Sequence, residues 1–163
     1  MNFGVIPDFE LIQWALSGGV TPFDIACINP ASIDLRWSGR YRIATPDGWS
    51  KVHDPGQLTV AKGFFYLLDT LETVTVPLDW SGMLALKSSL GRQGLEHLHA
   101  GFFDPGFRGT ATLEVHSLAP WPIDLVAGQP IVQLVFTQMK ARPEKSYRIT
   151  GKYNDQSEPE PAR

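Results

Sequence analysis

The stretch "AGFFDPGFRGTATLEV", Ala100 to Val115, reads as a tight turn feeding a strand. Asp104, Pro105 and Gly106 supply the turn: proline presets one backbone angle, glycine tolerates a positive φ, and aspartate bonds its own backbone. "TATLEV" then carries the two-residue alternation of a strand with one face buried. Leu113 and Val115 face one way, so Thr112 and Glu114 face the other. A glutamate there has two readings. On a solvated face it is an ordinary surface residue. In a cleft, burial raises its proton affinity and makes it a general acid or base.

The same grammar runs outward from this stretch. "SIDLRW", "RYRI", "GFFYLL", "TVTV", "MLALK", "PIDL" and "IVQLVF" are short strand-like pieces. Turn sequences such as "TPDGWS", "HDPGQ" and "VAGQP" separate them, and the 15 Gly and 13 Pro suit that role. Many short strands at close intervals predict an all-β fold, a barrel or sandwich. One helix is predicted, over "PDFELIQWALSGG" (Pro7 to Gly19). Asp8 is its expected cap, Phe9, Ile12 and Leu16 share a face, and Gly18 and Gly19 end it. There is no internal repeat or linker, so residues 1–163 read as a single domain. The polar segment "NDQSEPEPAR" closes the chain as an expected mobile tail.

Composition narrows the function classes. Hydrophobic content is 43% and charged content 19%, as in globular rather than disordered chains. A net charge of −3 gives no polyanion-binding surface, so nucleic acid is not an expected partner. Cys27 stands alone, which excludes an intramolecular disulfide and a cysteine-rich zinc site. The start "MNFGVIPDFE" lacks the features of a secretion signal, and no apolar run is long enough for a membrane span. The expected compartment is the cytoplasm, with no membrane partner.

Several segments carry chemistry with more than one reading. In "LALKSSLGRQG" an apolar strand runs into Lys87, Ser88, Ser89, Gly91 and Arg92. This is either a polar turn with solvated charges or a strand end that binds a phosphate or another anion. Asp104 either makes its turn alone or touches a sugar hydroxyl or a water. His97 and His99 share a face if their segment is extended, which is weak grounds for a metal site. Tyr147, Lys152, Tyr153 and Gln156 either belong to an ordinary polar tail or fold over a nucleotide, the aromatic stacking and the lysine meeting phosphate.

Taken in order, "KSSLGR", "HAGFFDPGFRGTATLEV", "PIDLVAGQPIVQLVF" and "GKYNDQ" resemble the dCTP deaminase family, a branch of the trimeric dUTPase superfamily. "INPASIDLRWSGRYRI" and "GFFYLLDTLETVTVPLDWSGML" resemble the earlier strands of that family. The resemblance runs from about residue 28 to the C-terminus. It implies a distorted β-barrel or jelly-roll of the dUTPase-like type, assembled as a homotrimer with active sites between subunits. It implies dCTP as substrate and deamination to dUTP and ammonia, in pyrimidine deoxynucleotide metabolism. The alternatives are a bifunctional enzyme that continues to dUMP and diphosphate, a plain dUTPase, and a nucleotide-binding homologue with altered catalysis. Mg²⁺ would arrive with the triphosphate, no zinc is implied, and dTTP is a candidate feedback inhibitor.

The family pattern also implies roles residue by residue. Glu114 matches the catalytic glutamate. Ser88 and the carbonyl of Ala100 match the groups that hold the attacking water, and Arg92 the arginine beside it. Lys87, where the family usually has arginine, and Ser89 fall at the phosphate end. Asp104 matches the aspartate near the deoxyribose, and Thr112 and Leu113 flank the base. Tyr147, Lys152 and Gln156 match tail residues, within 145–163, that close over the site. Zinc deaminases activate water with a metal held by His and Cys. A single cysteine excludes that ligand set here, leaving a carboxylate such as Glu114 to move the protons.

Overall fold

The computed structural model describes residues 4–162. Twelve strands follow in chain order: β1 (Val20–Thr21), β2 (Ile28–Asn29), β3 (Ser32–Thr45), β4 (Gly48–Trp49), β5 (Gln57–Val60), β6 (Phe65–Thr75), β7 (Trp80–Leu86), β8 (Leu95–His97), β9 (Phe102–Phe103), β10 (Arg108–Ser117), β11 (Ile123–Val126) and β12 (Pro130–Gln138). Helices are short: α1 (Asp8–Trp14), α2 (Ser88–Gly91) and α3 (Tyr147–Thr150). The main sheet runs β8-β10-β6-β3-β12-β7-β9, with β1 on β6 and both β2 and β4 on β3. β11 pairs with β5 as a separate ribbon. The sheet curls into the expected distorted barrel behind a short N-terminal helix.

β3 produces much of the curl. Ile33–Arg36 pair with β12, while Trp37–Ile43 pair with β6 across a register shift. The shift falls at Ser38-Gly39-Arg40, and Gly39 has φ +102. Such an irregularity bends a strand, so one strand serves both halves of the sheet. "SIDLRW" and "RYRI" are therefore one element.

"GFFYLL" and "TVTV" also fuse, into β6. The intervening Asp69, Thr70 and Glu72 read as a polar break in the sequence, yet all three are buried. Each has a partner. Asp69 takes Ser38 Oγ and pairs with Arg40, Glu72 accepts Arg36 Nε at 2.6 Å and the Arg36 amide at 2.8 Å, and Thr70 Oγ1 donates to the Glu72 carbonyl at 2.9 Å. Buried charge is tolerated when paired and hydrogen-bonded. The core lies inside the curl: Leu35, Trp37, Leu68, Val115, Val132, Leu134 and Phe136 are 0% exposed. Each such side chain stabilises the fold by about 1.5–3 kcal/mol.

The helix differs from its predicted face. Leu11, Trp14 and Ala15 are buried, while Phe9 and Leu16 are 60% and 73% exposed. Trp14 decides this. Its indole packs 4.9 Å from the Phe136 ring and donates Nε1 to the Thr75 carbonyl at 3.0 Å. The cap position is Pro7, and Asp8 instead accepts the adjacent Phe9 amide at 2.8 Å.

The last segment lies against the barrel. Tyr147 N donates to the Pro105 carbonyl at 3.0 Å, docking α3 on the Asp104–Gly106 turn. Gly106 has φ +88, and a Cβ there would collide with Ser146 Oγ. Turn geometry and close approach of the tail therefore both require that glycine. Among the described residues, no helix is long and apolar enough to cross a membrane.

Candidate active site

Glu114 lies in mid-β10 with Thr112 two residues before it. The register sets Glu114 opposite Leu67 of β6, and Leu67 opposite Arg42 of β3. Directly opposed residues share a sheet face. Phe65 and Leu67 thus join Thr112 and Glu114 as the floor of a cavity of about 460 Å³. Trp49, Phe103, Phe107, Tyr147 and Tyr153 give it aromatic walls, and Ala100, Asp104, Gln156 and Glu160 add polar groups. Trp49 packs on Phe65 with ring centroids 5.4 Å apart. A volume in this range, mostly apolar with a few placed polar groups, suits a small molecule with a flat ring.

Burial pushes the Glu114 carboxyl above the ordinary glutamate range, and its own backbone amide draws it partly back. The surroundings of this half-buried group contrast with those of the buried carboxylates Asp34, Asp69 and Glu72. Asp34, Asp69 and Glu72 are paired with Lys87, Arg40 and Arg36. Among the described residues no cation pairs with Glu114, and no Lys, Arg or His lines its cavity. A desolvated acid without a counter-charge gains little for folding, but it is poised to take and return a proton.

The cavity unites six sequence candidates: Glu114, Ala100, Asp104, Thr112, Tyr147 and Gln156. Gln156 is fixed on β10, its carbonyl accepting the Thr110 amide at 3.0 Å. Tyr147 Oη accepts the Tyr153 amide at 3.2 Å, which folds the tail back on itself. The other six candidates lie elsewhere. Leu113 is 1% exposed and points into the core, so its place beside the site is through its backbone. Ser88, Ser89 and Arg92 are exposed on and just after α2. Lys152 stands over the Tyr153 ring at 5.5 Å. Lys87 donates to both Asp34 oxygens, at 2.7 and 2.8 Å. His97 and His99 have ring centroids 5.1 Å apart, with His97 buried and held below the ordinary histidine range by desolvation.

Sequence reading missed Trp49, Phe65, Leu67 and Glu160. Phe65 and Leu67 had a usable signal, the alternation of "GFFYLL". Placing them under Glu114 additionally needed the β6–β10 register.

The fold is thus a curled antiparallel β-barrel of the dUTPase-like type, with a desolvated glutamate in an aromatic-walled cavity. A dCTP deaminase-like family model matches residues 9–139, and the chain belongs to that family. It is 37% identical over 165 residues to the "dCTP deaminase, dUMP-forming" of Mycobacterium avium, covering 89% of this chain and 86% of the relative. Identity to the protein of the same description from Corynebacterium glutamicum is 35% over 164 residues, covering 89% and 87%. The fold is similar to that of 2'-deoxycytidine 5'-triphosphate deaminase from Agrobacterium tumefaciens, with a TM-score of 0.73 at 20% identity. That match covers 85% of this chain and 49% of the other, so this chain spans about half its length.

Proposed function

We propose that this protein deaminates dCTP and carries the product on to dUMP and diphosphate. The observation that carries the reading is the desolvated Glu114 carboxyl, without a cationic partner among the described residues, facing an aromatic-walled cavity. The bare dUTP-forming reaction is the simpler outcome of the same site. Dual activity is favoured by relatives whose descriptions read dUMP-forming, at 35–37% identity.

The chemistry follows from the residues. The pyrimidine lies between the aromatic walls, with C4 toward Glu114. Glu114 takes a proton from the attacking water and returns it to the ring nitrogen or the departing ammonia. Such proton transfer contributes about 10²–10⁴ in rate. Asp104, on the rim, faces the sugar and is placed to orient a second water for cleavage at the α-phosphate.

The cavity lining carries Asp104, Glu114 and Glu160 and no cation among the described residues, so the triphosphate must be met from outside it. In the homotrimer that the family resemblance implies, the exposed Ser88, Ser89 and Arg92 of a neighbouring copy would complete the site, Ser89 at the phosphates and Ser88 and Arg92 beside the attacking water. Mg²⁺ enters with the triphosphate as part of the substrate. The site of action is the cytoplasm.

Incubation with dCTP and Mg²⁺, followed by separation of products, tests the proposal. Ammonia with dUMP and diphosphate supports both steps, dUTP alone restricts the protein to deamination, and no turnover refutes the enzyme reading. The engagement of Lys87 by Asp34 favours a second reading, a nucleotide-binding chain without catalysis. Tight dCTP binding without product would establish it.

A further inference from the structure

Beyond Gln156 the chain returns to the Glu114 cavity, where Glu160 and Ala162 form part of the wall. The Glu160 amide donates to Thr112 Oγ1 at 3.2 Å. Between these points the tail is gripped by Arg42. Its Nε donates to the Pro159 carbonyl at 2.8 Å, and one terminal nitrogen meets the Glu158 carboxylate at 2.8 Å. The other donates to the Ser50 carbonyl at 2.9 Å, tying the same guanidinium to the chain just after β4. Pro159 is buried, and the Arg42 side chain is 17% exposed.

The location of this grip gives it meaning. Arg42 opposes Leu67, which opposes Glu114. The guanidinium therefore rises from the sheet face that carries the acid, two strand spacings or about 10 Å away. One side chain uses all three guanidinium nitrogens on two segments, a geometry that the planar fork permits and an ammonium does not. The segment it holds has exposed residues on both sides of Pro159, Ser157 and Glu158 before it and Ala162 after it. Exposed, sparsely packed segments open at low free-energy cost unless tied down.

We propose that Arg42 is a positioning residue: it buckles residues 156–162 over the cavity and thereby sets how tightly the nucleoside is held against Glu114. This rests on the reading that the cavity takes dCTP. The strap contributes Glu160 and Ala162 to the cavity wall and meets the floor at Thr112. With the buckle broken, the cavity stays open to water on that side while Glu114 and the barrel remain intact.

The test pairs a binding readout with one that does not need catalysis. In the full-length protein, Arg42→Ala and Arg42→Lys are compared with wild type by amide hydrogen exchange and by dCTP kinetics with Mg²⁺. Expected for Arg42→Ala is faster exchange over 156–160 with β3 and β6 unchanged, and a KM for dCTP raised about 10–100-fold, the worth of one charge-assisted hydrogen bond. kcat should move less. Arg42→Lys should fall between, since it keeps the charge and loses the fork. Unchanged exchange over 156–160 overturns the proposal, as does a loosened strap with unchanged KM. Equal loosening of β3 and β6 also overturns it, by making Arg42 merely structural. If wild type neither binds nor turns over dCTP, the functional reading fails, while the exchange arm still decides whether Arg42 holds the strap.

Discussion

Replacing Glu114 by glutamine separates a working acid from a structural one. The substitution keeps shape and volume and removes only the ionisable proton. If Glu114 shuttles protons, deamination should fall about 10²–10⁴-fold, equivalent to about 3–5 kcal/mol of barrier. Stability should move the other way. Burial raises the folded-state pKa of Glu114 above its ordinary value, and no ion pair offsets this among the described residues. A raised acid pKa contributes stability below the unfolded value that is lost as pH climbs through the folded value. As pH rises toward neutral, ionisation of the wild-type carboxyl is therefore opposed by its surroundings, and the neutral amide removes that penalty. Glu114→Gln should be at least as stable as wild type at about pH 7, with its advantage fading below about pH 4, where the glutamate is protonated in both states. Product analysis with dCTP and thermal melts across a pH series measure both effects. Wild-type turnover by the variant, or a large loss of stability at neutral pH, would refute the assignment.

Other expectations follow from the buried charges. The acidic limb of the deamination profile should lie above the ordinary glutamate range, because Glu114 must be deprotonated to accept the water's proton; a limb at or below that range contradicts its desolvation. Glu72→Ala strips the Arg36 amide and Nε of their shared acceptor and leaves Asp24, at 3.4 Å, as the remaining charge partner of that guanidinium among the described residues, so it should cost about 3 kcal/mol and lower Tm by about 6–12 °C, read by calorimetry. Asp69 is 0% exposed, and burial lifts its pKa to about 6 against the pull of Ser38 and Arg40. Its contribution to stability should decline as pH rises from about 4 to about 6. Asp69→Asn should flatten that part of the stability profile, and an unchanged profile would argue against the assignment.

The legible parts of the sequence were those governed by local rules. The Asp104–Gly106 turn, the alternation in "TATLEV" and the short strands follow from backbone and side-chain preferences within a few residues. Glu114 was legible as an anomaly, a carboxylate in a strand otherwise suited to burial. The illegible parts depended on distant partners. The "DTLE" segment resembles a break until Arg36, Arg40 and Ser38 are brought across from β3. The exposed apolar stripe of Phe9 and Leu16 competes with the Leu11 and Trp14 stripe, and only contact with Phe136 selects between them. Arg42 carries no local mark: its significance comes from a tail 116 positions away. The split between cavity residues and the α2 group is likewise a property of the folded chain.

Trp49 gives the cavity an optical reporter of its own. Trp14, Trp37 and Trp80 are sealed within the barrel and Trp121 sits outside at 56% exposure, whereas Trp49 stands in the cavity wall against Phe65. A purine or pyrimidine sliding beside that indole would quench its emission, while the interior three would keep theirs. The protein's own fluorescence can thus follow filling and emptying of the chamber without any attached dye.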